Sequence, residues 1–265
     1  MILDKITEKT YKRVEKLKKQ CSLEEIKQKA LSMEITLEGD SAYPFENALK
    51  KEGMSYICEI KKASPSKGDI VLEDGFDAVR IGKEYEKAGA SAISILTEPY
   101  FFKGDNKYLK SVSENVSIPI LRKDFVVDEY TIYEAKTIGA SAVLLICSIL
   151  DKETLKNYIE LAHSLGLSAL VEAHDEEELL TAIDCGARII GVNNRNLKDF
   201  TVDFNNAINL RKLISKDIIF VCESGVKRKE DIDLLKENNV NVVLIGELLM
   251  KSDDKAKMID YLEGE

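Results

Sequence analysis

From residue 54 to the end of the chain, short apolar runs alternate with stretches that mix apolar and charged residues at helical spacing. Eight runs read as buried strands: 54–60, 91–97, 119–124, 142–148, 168–173, 189–194, 218–223 and 242–247. Helical patterns lie near 76–88, 106–115, 128–138, 151–165, 175–184, 204–214, 227–237 and 252–262. The junctions repeat: Ala88-Gly89-Ala90, Ile138-Gly139-Ala140 and Cys185-Gly186-Ala187 each lead from a helical pattern into an apolar run. Asn239-Val240-Asn241 holds the same place before the last run. A glycine there suits the residue just past a helix, where positive φ is needed. Asp128, Asp151 and Asp175 are candidate N-caps, and Glu178 completes a capping-box pattern behind Asp175. Near-continuous apolar strands separated by amphipathic helices imply a parallel sheet covered by helices. Eight βα units with no strand left over predict an α/β fold closed as a (β/α)8 TIM barrel. The alternative is an open doubly wound sheet, which usually carries a glycine-rich dinucleotide loop after its first strand; no GxGxxG is present.

The first 52 residues stand outside this repeat. Residues 4–20 read as a helix, with Leu3, Ile6, Val14 and Leu17 on one apolar stripe. Ser22-Leu23-Glu24-Glu25 is a capping box, so a second helix is expected from Leu23. Ser41 to Pro44 break the pattern, and Phe45 to Lys51 suggest a further short helix. We expect 1–52 to be an N-terminal helical extension packed on a barrel of residues 53–265, the whole forming one domain.

Composition narrows the class. A chain of 265 residues, 45% hydrophobic and 32% charged, suits one large domain. No apolar run nears the ~20 residues that span a bilayer, and Met1-Ile2-Leu3-Asp4-Lys5 does not open a signal peptide. A net charge of −9 argues against nonspecific nucleic-acid binding. The five cysteines are odd in number and form no CxxC pair. Cys58, Cys147 and Cys222 sit in apolar strand runs and read as buried thiols, which fits a reducing cytoplasm. With only two histidines, neither a metal nor any other cofactor is expected.

The chemistry of such a barrel lies at the carboxyl ends of its strands. The first strand ends in Glu59-Ile60-Lys61-Lys62-Ala63-Ser64-Pro65-Ser66. Glu59 and Lys61 share a face, and two buried charges cost several kcal/mol unless they pair or meet a charged ligand. Parity turns Glu59, Lys61, Lys123, Glu172, Asn193, Arg195 and Glu223 inward, all near strand ends. Arg122 and Asp124 point outward, as a surface or structural ion pair. His174 reads as a loop residue beside a helix cap, and His163 as a structural residue in mid-helix. Ser224-Gly225 and Gly246-Glu247 follow the last two strands, where barrels commonly hold phosphate on backbone N–H groups. Arg195 or Lys61 could add charge-assisted bonds. The loop Thr97-Glu98-Pro99-Tyr100-Phe101-Phe102-Lys103-Gly104-Asp105 brings three aromatics to the mouth. They either line an aromatic pocket or plug the barrel top, and Phe125 poses the same choice.

These blocks together resemble the indole-3-glycerol-phosphate synthases of tryptophan biosynthesis. The resemblance rests on Glu59-Ile60-Lys61-Lys62-Ala63-Ser64-Pro65-Ser66, Leu121-Arg122-Lys123-Asp124-Phe125, Leu170-Val171-Glu172, Gly191-Val192-Asn193-Asn194-Arg195-Asn196-Leu197 and Glu223-Ser224-Gly225-Val226, in family order. It spans essentially the whole chain and looks like the monofunctional form. It implies a carboxy-lyase acting on 1-(2-carboxyphenylamino)-1-deoxyribulose 5-phosphate, which closes a pyrrole ring and releases CO2 and water. By family analogy Lys123 is the general acid on the ketone oxygen, a role a lysine can fill near neutral pH if its surroundings lower its pKa. Glu172, Glu59 and Lys61 supply the acid and base of the dehydration, in an order the motif leaves open. Lys61 also holds the substrate carboxylate, and Glu59 stabilises a cationic intermediate. The resemblance further implies that Asn193 and Arg195 orient hydroxyls and phosphate, with Glu223 in the binding site. Ser64, Ser224, Gly225, Gly246 and the backbone of Glu247 form the polar lining and phosphate cup. Phe102 and Phe125 sandwich the anthranilate ring. Some relatives carry a small residue at 247, so the Glu247 carboxylate is expected to turn away from the phosphate. The chain is expected to act as a cytoplasmic monomer on a phosphorylated aromatic small molecule. Two other readings remain at this point. One is a Schiff-base aldolase with Lys123 or Lys61 as nucleophile; the other is a phosphate-binding barrel kept as a scaffold.

Overall fold

The computed structural model describes residues 2–39, 41–71, 76–196 and 200–264. Leu197, the last residue of the 191–197 block, lies outside them. The strands are β1 (Ser55–Ile60), β2 (Ala92–Leu96), β3 (Ile120–Lys123), β4 (Ala142–Ile146), β5 (Ser168–Ala173), β6 (Ile189–Asn193), β7 (Ile219–Glu223) and β8 (Val242–Ile245). They form a closed, all-parallel barrel in chain order, β1 pairing with both β2 and β8. Closure removes the open-sheet alternative. Register then aligns the strand ends: Lys123 lies beside Leu96, Glu172 beside Ile146 and Gly191, and Asn193 beside Glu223. A two-residue ribbon, Ala63–Ser64 against Gly68–Asp69, follows β1.

Alternation along each strand separates two apolar layers. Ile57, Leu121, Leu144, Leu170, Val221 and Leu244 fill the barrel interior. Cys58, Ile93, Val143, Val171, Val192 and Val243 pack against the helices. Both layers are shielded from water, which is why the strands lack a polar face.

The front segment forms α1 (Ile2–Gln20), α2 (Leu23–Leu31) and α3 (Pro44–Leu49). Ser22 and Glu25 make the expected reciprocal capping box. α3 adds Phe45 and Leu49 to the barrel-interior cluster. α1 is tied to the carboxyl end of β3 by two ion pairs, Arg13 to Asp124 at 2.8 Å and Lys18 to Asp128 at 2.6 Å.

The outer helices are α4 (Ala78–Lys87), α5 (Asn106–Ser113), α6 (Tyr130–Thr137), α7 (Lys152–Ser164), α8 (Glu176–Asp184), α9 (Asn205–Arg211), α10 (Lys229–Glu237), α11 (Glu247–Lys251) and α12 (Lys255–Glu263). Asp151 and Asp175 cap α7 and α8 as their sequence positions predict. Four details depart from expectation. Asp128 is not the N-cap of α6; its carboxylate accepts the Tyr130 N–H at 3.0 Å while engaged by Lys18. The strand predicted to reach residue 148 stops at Ile146, and Cys147–Ile149 form a 3₁₀ turn, so Cys147 is buried beyond the strand rather than within it. α11 fills 247–251, where no helix was expected, because five residues are too few to show a period. His163 lies in the last turn of α7 rather than mid-helix, its ring edge-on to Tyr43, and burial pushes its imidazole down to about 4.

Candidate active site

A pocket opens at the carboxyl end of the barrel, lined by Lys61, Lys123, Glu172, Arg195 and Ser224 among others. At its floor the Lys123 ammonium lies 2.9 Å from Glu172 Oε2 and 2.5 Å from Glu223 Oε2. Lys61 reaches back along β1 to bond the Glu59 carboxylate. Asn193 approaches Glu172 Oε1 at 3.4 Å, and its own Oδ1 accepts the Arg195 N–H and the Ser224 hydroxyl, each at 3.0 Å. All seven side chains assigned inward by parity meet at this pocket.

The carboxylates fit because two inward positions have no side chain. A Cβ on Gly191 would stand 2.3 Å from Glu223 Oε1, and one on Gly246 would stand 2.4 Å from Glu59 Oε1. Gly246 therefore makes room for Glu59 as well as opening the backbone of the following loop. Sequence reading assigned it only the second task and gave Gly191 none.

Burial alone would drag the Lys123 ammonium down, but Glu172, Glu223 and Glu59 together hold it well above its ordinary value. The lowered lysine pKa considered from sequence is thus reversed. The two carboxylates on Lys123 diverge. Burial opposes ionisation of both. Lys123 and His174 overcome it at Glu172, which is held below its ordinary value. Glu223 faces Glu172 and Glu59 and is pushed up to about 7. The cluster therefore holds an ammonium, a firm carboxylate and a carboxyl that exchanges its proton near neutrality.

Around this centre the remaining candidates divide. Ser64 Oγ lies 3.4 Å from Ser66 Oγ on the ribbon edge. Ser224 and Gly225 both take positive φ, 67° and 103°, in the turn after β7. Glu247 directs its carboxylate to Lys251 at 2.7 Å and toward Lys67 at 3.7 Å. Phe102 and Phe125 line the pocket with ring centroids 6.1 Å apart. Of the three aromatics in the β2 loop only Phe102 enters. Tyr100 is half exposed, and Phe101 lies beneath the Lys9 ammonium. The loop is shaped by Glu98, whose fully buried carboxylate accepts the N–H groups of Tyr100, Phe101 and Phe102 at 2.7–3.1 Å.

Arg122 and Asp124 do point outward, but to the barrel–helix interior and not to the surface. They are 2% and 1% exposed. Sequence reading missed three contributors. Ile2, Leu3 and Ile6 of α1 line the pocket, giving the extension a place in the site that its amphipathic stripe alone did not reveal. Leu96, Leu144, Ile146 and Leu244 supply the apolar wall and were indistinguishable from core. His174, read as a cap neighbour, has its Nε2 3.5 Å from Glu172 Oε1; the parity that turned Glu172 inward also applied to it. Among the described residues no group of three or more His, Cys, Asp or Glu is arranged to hold a metal ion.

Comparison with solved structures finds the same architecture in 3-hexulose-6-phosphate synthase from Salmonella typhimurium, with a TM-score of 0.64 over 79% of this chain and 96% of the other. Identity there is 14%, so the likeness is one of fold. Sequence comparison reaches further. The indole-3-glycerol phosphate synthase from Ruminiclostridium cellulolyticum is 53% identical over 264 residues, covering 100% of this chain and 99% of its own. That of Endomicrobium trichonymphae is 53% identical over 263 residues, covering 99% and 100%. The family model for indole-3-glycerol phosphate synthase matches residues 3–262, and the chain belongs to that family.

Proposed function

We propose that this barrel converts 1-(2-carboxyphenylamino)-1-deoxyribulose 5-phosphate to indole-3-glycerol phosphate, CO2 and water, with Lys123 as the central acid. The observation that carries the assignment of Lys123 is its ammonium, bonded to two buried carboxylates on the pocket floor. Ring closure puts negative charge on the ketone oxygen as the aromatic carbon attacks. An ammonium fixed at that point donates the proton as the charge develops. Glu223, able to carry a proton near neutrality, is suited to return one to Lys123. Lys61 holds the substrate carboxylate until CO2 leaves. Its partner Glu59 then stabilises the cationic intermediate. Glu59, Lys61 and Glu172 divide the acid and base work of the dehydration.

Phe102 and Phe125 take the anthranilate ring, with the leucines of the wall and of α1 excluding water. Ser64, Ser224, Gly225, Gly246 and the Glu247 N–H form the phosphate cup, with Arg195 and Asn193 on the ribulose chain. The Glu247 side chain, drawn off by Lys251 and Lys67, leaves that cup without an opposing charge. A Schiff-base aldolase is disfavoured because its nucleophile must be a free amine, whereas Glu172, Glu223 and Glu59 hold Lys123 as ammonium and Lys61 is ion-paired with Glu59.

We read 1–265 as one domain, since ion pairs from α1 hold the extension to the barrel end. No helix among the described residues is long and apolar enough to cross a membrane. We infer a cytoplasmic monomer: all five cysteines are free, and one chain supplies the acids, bases and aromatic rings that line the pocket. Adding the carboxyphenylamino-deoxyribulose phosphate should produce an indole fluorescence signal in step with CO2. Tight binding without either product would overturn the assignment.

A further inference from the structure

Two carboxylates share one ammonium at the pocket floor, yet their outer oxygens have different surroundings. Glu223 Oε1 has no hydrogen-bond partner among the described residues and lies against the bare Cα of Gly191. Glu172 Oε1 faces Asn193 Nδ2 at 3.4 Å and His174 Nε2 at 3.5 Å. That imidazole is itself anchored. Its Nδ1 lies 3.1 Å from Glu178 Oε2, and the same carboxylate oxygen accepts the His174 backbone N–H at 2.8 Å. Asn206 donates to the His174 carbonyl at 2.9 Å. The ring therefore has one nitrogen committed to Glu178. The other is buried, without a hydrogen-bond partner among the described residues, and 3.5 Å from Glu172 Oε1.

We propose that His174, held by Glu178, is a positioning residue whose positive charge keeps Glu172 a carboxylate and leaves the exchangeable proton of the cluster on Glu223. The inference rests on the reading of Glu172 as a working carboxylate of the site. Its physical basis is the broken symmetry. Lys123 lies nearer to Glu223 than to Glu172, so the ammonium alone does not favour ionising Glu172, whereas a second cation beside the outer oxygen of Glu172 does. A capping role alone would need only the Glu178 bond to the His174 backbone. It would leave the ring free to face solvent.

The charges around His174 come from several elements. Glu172 on β5, Glu178 on α8 and Glu223 on β7 favour its protonated form. Asp4 of α1, Asp175 at the head of α8, and Arg195 and Asp203 after β6 line the side pocket on which the ring borders. Burial opposes the charge, and the net direction for His174 is upward from the ordinary 6.5.

The test is the pH dependence of kcat and KM in wild type, His174→Gln, Glu178→Gln and Glu172→Gln, with imidazole titrations by NMR. His163 is the only other histidine and gives an internal reference. Wild type should lose kcat on the alkaline side as His174 deprotonates. His174→Gln should lower kcat roughly tenfold at neutral pH, leave KM within about twofold and abolish that alkaline limb. Glu178→Gln should move the limb, and the His174 titration, to lower pH. A wild-type pH profile in His174→Gln, or an unmoved limb in Glu178→Gln, overturns the proposal; the second decides it should the first variant not fold. Wild-type turnover in Glu172→Gln would instead remove the reading of Glu172 on which the inference stands.

Discussion

Arg122 and Lys123 are neighbours on β3 and each ends in a cluster of buried charge, but the two clusters are built to opposite rules. Arg122 faces the helices. Its guanidinium donates to Thr97 Oγ1 at 3.1 Å, the Thr131 carbonyl at 2.8 Å, Asn106 Oδ1 at 3.0 Å and Glu134 Oε2 at 2.6 Å. Asp124 beside it takes Arg13 at 2.8 Å and the Thr97 hydroxyl at 2.7 Å. Lys123 faces the pocket with a single ammonium between two carboxylates, one of which keeps an oxygen unbonded among the described residues. In the outer cluster every guanidinium nitrogen of Arg122 has a partner, and Arg13 joins from α1 through Nη2, its Nε alone left unbonded among the described residues. The inner one is left short of partners beside an opening where a ligand can supply them. A planar fork that stays charged suits the first task, and a compact ammonium that can pass a proton suits the second.

The largest expected effect lies on the outer face. Arg122→Met leaves Glu134 and the Thr97 hydroxyl without their buried cation, and breaking such a network by one partner typically costs about 3–5 kcal/mol. Urea unfolding should show that loss, with turnover of the folded fraction nearly unchanged. A variant as stable as wild type would mean the outer network is no anchor. Lys123→Ala should behave in the reverse way. It should lose at least ~100-fold in kcat, about 2.7 kcal/mol of transition-state stabilisation, while remaining folded because the pocket admits water to the freed carboxylates. Wild-type turnover in that variant would remove Lys123 from the mechanism.

The contrast also marks how far the sequence could be read. The barrel was legible because its strands, buried on both sides, are continuous apolar runs, and because αβ junctions such as Ile138-Gly139-Ala140 repeat. The facing of Lys123 against Arg122 followed from parity alone. What escaped depended on distance across the barrel. Nothing local shows that Gly191 makes room for Glu223, or that Gly246 does so for Glu59. Glu98 carried no reading in the loop sequence, yet its carboxylate gathers three backbone N–H groups. Leu3 and Ile6 belonged to an amphipathic stripe, and a stripe does not say whether it covers core or pocket.

A smaller effect separates the inner carboxylates. Glu223 is raised to about 7, above the ~4.3 of a glutamate in an unfolded chain. The folded protein therefore binds that proton more tightly. The resulting contribution to stability is complete below about pH 4 and is lost as pH rises through about 7. Glu223→Gln has no such proton. Its stability relative to wild type should rise between pH 5 and 7 by something on the order of 2 kcal/mol, read from paired urea titrations. A pH-independent difference would place the exchangeable proton elsewhere in the cluster.

The smallest effects compare one hydroxyl on each face. Thr97 Oγ1 donates to Asp124 and accepts from Arg122 Nε, and Thr97 is 2% exposed. Thr97→Val keeps the shape but removes one hydrogen bond from Asp124 and leaves Arg122 Nε without its acceptor, so a loss of about 1–2 kcal/mol is expected with kcat unchanged. Ser224 donates its hydroxyl to Asn193 Oδ1 at 3.0 Å on the pocket wall, where water can replace it. Ser224→Ala should cost about 0.5 kcal/mol or less in stability, and alanine is no worse than serine at that positive φ. Its effect should appear as a several-fold rise in KM, because the hydroxyl is wanted by the substrate and by the Asn193 that orients it. If Thr97→Val instead raised KM, or Ser224→Ala cost as much stability as Thr97→Val, the two faces of β3 would not be divided between anchoring and chemistry.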